Sequence, residues 1–151
     1  MLGQGLAPDD LVIEFREAQL IADESGTAKQ NIAALSEAGF SVELDDFGTG
    51  RAAMSTLGTL ALTGIKLDRS MIANLPDPCS EAILRAITGL ASELGLTVIA
   101  KGVETPAQYA TLRKLGCHMA QGFGISPPLP LDGLIGFMKG YGKAPVRLAA
   151  S

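Results

Sequence analysis

The sequence predicts an α/β fold on a parallel sheet of about five strands, because short aliphatic runs alternate with helical patterns, glycines terminate those helices, and polar residues recur where the runs end. The runs that read as strands are Leu11–Phe15, Ser41–Asp45, Gly64–Leu67, Thr97–Ala100 and His118–Gln121. Each is brief enough to be a barrel strand.

Between the first two strands, Thr27–Ala38 carries Ala28, Ile32 and Leu35 on one face and stops at Gly39. Glu81–Leu94 places Ala82, Ile83, Ala86, Ile87, Leu90, Ala91 and Leu94 at helical spacing, with Gly95 as terminator, so it should pack on the sheet. Pro106–Leu115 opens with Thr105 as N-cap, Pro106 at the first helical position and Gln108 completing a capping box, and ends at Gly116. Leu131–Tyr141 reads as a closing helix weakened by Gly133, Gly136 and Gly140.

The 151 residues, 47% of them apolar, suffice for one core. Residues 1–10 read as a lead, 11–141 as the folded unit and 142–151 as a loose tail. Twelve basic residues against sixteen acidic ones give a net charge of −4, and the scattered Lys and Arg form no stripe, which argues against a nucleic-acid polymer as partner. Charged residues or glycine interrupt every apolar stretch, so membrane insertion is not expected. Met1-Leu2-Gly3 looks like an ordinary start without a secretory n-region or h-region, and Cys79 and Cys117 lack metal-ligand spacing, so the chain reads as cytoplasmic and reduced. Both cysteines, together with Met54, Met71, Met119 and Met138, read as core residues, and His118 as packed or hydrogen-bonded.

The polar residues that carry chemistry share one location. Glu14, Asp45 with Asp46, Asp68, Glu104 and Gln121 all fall at or just past the C-terminal end of a strand, where parallel α/β folds bind ligands. Side-by-side strands would bring Glu14, Asp45 and Asp68 to one patch, and clustered carboxylates call for a hard cation, Mg²⁺ or Mn²⁺. Lys66, two residues before Asp68, would offset that charge or hold a phosphate oxygen. Each residue also has a plain structural reading: Glu14 and Asp45 as helix caps, Asp68 as N-cap of a short helix over Arg69–Ala73, and Lys66 as its partner. The Asp-Phe-Gly of residues 46–48 is also found in protein kinases, but no glycine-rich loop, strand lysine or His-Arg-Asp loop accompanies it.

In order along the chain, Val12–Glu17 (VIEFRE), Asp45–Gly50 (DDFGTG), Lys66–Ser70 (KLDRS), Val98–Thr105 (VIAKGVET) and Gln121–Phe123 (QGF) resemble the successive signatures of EAL-type cyclic di-GMP phosphodiesterases. The resemblance runs from about Asp10 to Pro130 and implies part of a (β/α)8 TIM-type barrel. It also implies divalent cations at the strand C-termini, where a metal-activated water opens cyclic di-GMP to pGpG. Residue by residue, it makes Glu14, Asp45 and Asp46 metal ligands and Lys66 the lysine that orients the attacking water or phosphate. Glu104 is implied to be a glutamate supporting the loop or metal shell, and Asp68, Gln121 and Gly122 to lie near the nucleotide.

Three departures qualify that resemblance. Lys101 stands where the family has the first glutamate of Glu-Gly-Val-Glu-Thr, and a charged lysine neither accepts a proton nor attracts a metal. Arg16 and Arg51 replace a small polar and an aromatic residue. A whole barrel needs roughly 250 residues, and the chain starts at what resembles the fourth strand, without the Glu-Ala-Leu motif or the third-strand asparagine. The resemblance therefore implies a weakly active or inactive phosphodiesterase, with a non-catalytic module binding cyclic di-GMP or a protein as the alternative. A third possibility is a piece of a longer active enzyme. A half barrel would expose sheet edges and an apolar inner face, so a homodimer is the expected cover.

Overall fold

A computed structural model describes residues 5–23, 25–49 and 54–140 of the chain. Five strands pair in parallel in their sequence order: β1 (Val12–Arg16), β2 (Ser41–Phe47), β3 (Gly64–Leu67), β4 (Thr97–Lys101) and β5 (Met119–Gln121). Seven helices connect or follow them: α1 (Glu17–Ile21), α2 (Thr27–Glu37), α3 (Met54–Leu57), α4 (Arg69–Ile72), α5 (Pro78–Glu93), α6 (Pro106–Lys114) and α7 (Leu131–Gly140). All five expected strands are present, with ends shifted by one or two residues; His118 precedes β5.

Partners across a sheet share a face, so the register divides the strands into two surfaces. Ile13 pairs with Val42, Phe15 with Leu44, Leu44 with Ile65, Ile65 with Val98 and Leu67 with Ala100. That face is covered by Ile32 of α2, Ile72 of α4, Leu84, Ile87 and Ala91 of α5 and Leu112 of α6. Each fully buried Leu or Ile there contributes on the order of 1.5–3 kcal/mol. The opposite face carries Glu14, Glu43, Lys66, Thr97, Lys101 and Gln121, with Ile99 among them. The inner face is thus mainly polar and charged, not apolar as expected. Its exposed apolar residues are at the edges, Val12 on β1 and Met119 on β5.

Helix α2 buries the face its spacing predicts, with Ile32 fully buried and Ala28 and Leu35 packed on the core. Helix α5 starts three residues earlier than expected. Asp77 caps it, accepting from the Ser80 N–H at 2.9 Å, and Pro78 sits in its first turn, where a missing N–H costs nothing. Its buried stripe is Leu84, Ile87, Thr88 and Ala91, while Ile83 and Leu94 face outward. Helix α6 has the predicted capping box: Thr105 Oγ1 accepts from Gln108 N–H, and Gln108 Oε1 accepts from Thr105 N–H. Helix α7 buries none of its residues. Only Met71 among the four methionines packs against the core; Met54, Met119 and Met138 are exposed, as is Cys79, while Cys117 is half-buried. Arg51 and the tail from Tyr141 onward lie outside the described residues.

Candidate functional site

The site begins with an irregularity in β2. Leu44 pairs with Ile65 and Phe47 with Leu67, so three steps along β2 match two along β3 and the strand contains one extra residue. Asp46 takes up that extra residue in a left-handed conformation, φ 56°, one that Asp tolerates better than most side chains. Neighbouring residues of a regular strand point to opposite faces. The bulge instead lets Asp45 and Asp46 reach the same group while returning Phe47 to the core.

That group is the Lys101 ammonium, at the end of β4. Its Nζ donates to Asp45 Oδ1 at 2.6 Å and to Asp46 Oδ1 at 2.7 Å. The Lys101 and Asp45 side chains keep only 26% and 13% of their exposure, so water screens the contact weakly. Burial alone would raise the Asp45 pKa and lower that of Lys101. For Asp45, the hydrogen bonds from Lys101 and the Asp46 backbone and the charges of Lys101 and Lys66 together outweigh it and hold the carboxyl below its ordinary range. For Lys101, the hydrogen bonds to and charges of Asp45 and Asp46 together hold the ammonium above its own.

A second ion pair lies further into the sheet. Lys66 Nζ donates to Glu14 Oε1 at 2.7 Å, not to Asp68. Glu43, which the sequence did not flag, sits on the strand between them: it pairs with Glu14 on one side and Gly64 on the other. Burial pushes the Glu43 carboxyl up, Lys66 pulls it back, and the nearby charges of Glu14 and Asp45 add to the rise. Arg16, level with Asp45, places its Nε 3.9 Å from Asp46 Oδ2.

Asp68 serves as the N-cap of α4, accepting from Ser70 N–H at 2.8 Å. Those hydrogen bonds keep its carboxyl below the usual range. Glu104, Gln121 and Gly122 line a shallow groove of about 210 Å³ together with Arg69, Lys101 and the exposed ring of Phe123. Gly122 has to be glycine, because a Cβ would overlap the backbone of Val103. Val103 N–H donates to Gln121 O at 3.0 Å, which holds that approach. A larger hollow of about 480 Å³, beside Tyr109, Arg113, Cys117 and Met119 at the β5 edge, holds none of the expected site residues. His118 Nδ1 accepts from Val98 N–H, which fits its expected hydrogen-bonded role.

Glu17 was also missed by sequence reasoning. It is buried at the start of α1, and its Oε2 accepts from Gly48 N–H at 3.0 Å, which ties α1 to the turn after β2. Its signal was a carboxylate directly after the charged end of β1.

The fit to a divalent cation is poor in this arrangement. Among the described residues no three His, Cys, Asp or Glu side chains are grouped to hold a metal, and Glu14, Asp45 and Asp68 do not meet in one such patch. Glu14 is paired with Lys66, while Asp45 and Asp46 are paired with Lys101. No helix among the described residues is long and apolar enough to cross a membrane.

Comparison with known proteins gives the same frame. Cyclic di-GMP phosphodiesterase NbdA of Pseudomonas aeruginosa is 40% identical over 138 residues, 91% of this chain and 18% of that protein. The EAL domain of Mycobacterium smegmatis DcpA superposes with a TM-score of 0.84 at 34% identity, over 93% of this chain and 63% of that one. Klebsiella pneumoniae BlrP1, solved as a manganese and cyclic di-GMP complex, superposes with a TM-score of 0.74 at 32% identity, over 81% of this chain and 31% of that one. The chain therefore spans under a fifth of NbdA's length. The EAL domain family model matches residues 1–128, which takes in all five strands and every residue of the site, and the chain belongs to that family.

Proposed function

We propose that the chain is the C-terminal part of an EAL barrel of cyclic di-GMP signalling and, by itself, a weakly active or inactive phosphodiesterase. The observation that supports this is the Lys101 ammonium, 2.6 Å from Asp45 and 2.7 Å from Asp46, at the position where the resemblance to the Glu-Gly-Val-Glu-Thr signature implies an acid. An ammonium has no lone pair with which to take a proton from water, and it competes with a metal for the same carboxylates.

By the resemblance, Glu14, Asp45 and Asp46 would hold Mg²⁺ or Mn²⁺, which would supply an activated water, Lys66 would orient that water or a phosphate, and Glu104 would support the shell. Here the same carboxylates face lysines, and a divalent cation would have to displace Lys101 to be held by Asp45 and Asp46. Incubating the pure chain with cyclic di-GMP and Mg²⁺ or Mn²⁺ should yield no pGpG above background. Robust turnover would overturn the proposal.

The groove favours a second reading, a binding module without catalysis. Phe123 offers an exposed ring for stacking a base, Arg69 and Lys101 offer positive charge for a phosphate, and Gln121 and Gly122 line the same wall, with Asp68 capping the helix beneath. Calorimetry with cyclic di-GMP decides between them: binding heat without turnover selects the module. Self-association is the cover we propose for the exposed apolar residues of α7, Leu131 and Met138, and for the β1 and β5 edges. Light scattering should give a dimer mass in that case. Residues 11–141 as the barrel part and a cytoplasmic location complete the reading.

A further inference from the structure

We propose that Arg16 and Lys101 act as tethered cations that replace a divalent metal at the Asp45–Asp46 pair, so that this chain holds its Asp46–Thr49 turn without metal. The proposal rests on the reading above of an impaired EAL domain and names the cause of the impairment as charge, not only missing strands.

Two adjacent carboxylates aimed at one point repel each other unless a cation joins them. In a metal site the ion supplies that charge from solution. Here it comes from the chain: Lys101 Nζ bridges one oxygen of each aspartate, and Arg16 Nε lies 3.9 Å from the other oxygen of Asp46. Both cations thus place positive charge on the same aspartate. Asp46 also holds the left-handed bulge position, φ 56°, a strained conformation for a residue with a side chain. Joining its carboxylate to Lys101 offsets that strain, and the Asp46 carbonyl then accepts from Thr49 Oγ1 at 2.8 Å, which shapes the turn that follows. The ammonium thus does the structural part of a metal's work and none of its Lewis-acid part.

The deciding experiment measures Mn²⁺ binding without nucleotide, by electron paramagnetic resonance of the free ion, in the wild-type chain and in Lys101→Met. The methionine removes the charge and adds no ligand. Wild type should bind only weakly, and Lys101→Met should bind at least roughly tenfold more tightly, since a unit charge within contact distance has gone. The wild-type melting temperature should be the same in EDTA and in millimolar Mn²⁺, whereas that of Lys101→Met should rise with Mn²⁺. Equal Mn²⁺ affinity in the two proteins would overturn the proposal, because the absent ligands and not the lysine would then set the limit. So would micromolar binding by wild type that is abolished in Asp45→Asn. If Lys101→Met fails to fold in EDTA, its recovery by Mn²⁺ supports the proposal and failure to recover opposes it. Neither result bears on pGpG formation or cyclic di-GMP binding, so the signalling reading stands or falls separately.

Discussion

Glu17 accepts a hydrogen bond from the Gly48 backbone N–H at 3.0 Å, across 31 residues of sequence, and so fastens the first helix to the glycine turn that follows the aspartate pair. A carboxylate that is 1% exposed is worth keeping only while its partners stay in place. Glu17→Ala should cost about 1–3 kcal/mol, the penalty for leaving a part-buried N–H unmade. Urea unfolding measures that loss, and hydrogen exchange at the Gly48 amide should speed up more than exchange at Val98 in the core.

The aspartate–lysine cluster predicts a stability plateau in pH. Asp45, whose folded pKa is lowered from 3.8, contributes stability that is present above that value and is lost as pH falls through the lowered one. Lys101, whose folded pKa is raised from 10.5, contributes stability that is present below that value and is lost as pH rises through the raised one. Arg16, Glu43, Asp46 and Lys66 are the other charged groups near the pair; of these, Lys66 also lowers Asp45 and Asp46 also raises Lys101. Wild type should exceed Lys101→Met by about 1–2 kcal/mol between about pH 5 and pH 9, intermediate between an exposed and a buried pair. The gap should close toward both extremes. A gap independent of pH would count against an ionic origin.

Gly122→Ala should destabilise by roughly 1–3 kcal/mol, because the added methyl meets the Val103 backbone and not a movable side chain. Gly116→Ala is a useful contrast. There the cost is the left-handed backbone, φ 85°, and nothing crowds the methyl, so the penalty should be smaller, about 1 kcal/mol.

The two thiols should separate in labelling. Burial pushes the Cys117 thiol up to about 11, while Cys79 is exposed in the first turn of α5. Iodoacetamide at pH 8 should modify Cys79 first and Cys117 only slowly, with both reacting at similar rates in urea. Mass spectrometry of the digested chain reads out each site.

Much of the fold was legible because its signals are local. The Thr105-Pro106-Gln108 start of α6 and the Ala28, Ile32 and Leu35 stripe of α2 depend on spacing alone, and both are present. The stripe of α5 was misjudged between Ile83 and Leu84, since aliphatic residues occupy both sides of that helix and only tertiary contact selects the buried one. The site was half legible: carboxylates at strand ends are visible in sequence, but which cation each one meets is not. Lys66 sits two residues from Asp68 yet reaches Glu14, 52 positions away, because strands bring distant residues closer than neighbours along one strand. Glu43 escaped notice because it falls in mid-strand, where an acid on a polar barrel face looks like ordinary alternation.

The bulge in β2 also fixes what kinds of sequence change the strand can absorb. Val42, Leu44 and Phe47 face the core, so the inward parity of the strand switches from even to odd positions at the aspartates. Deleting either Asp45 or Asp46 would restore strict alternation and leave the strand with a single aspartate beside Glu43. Inserting a residue there would equally give Phe47 the parity of Val42 and Leu44, but would shift it by a residue pair against β3. Point substitutions leave that backbone in place, as at Lys101 and Arg16 opposite the pair, whereas a one-residue change in length removes the bulge that brings the two carboxylates to one point.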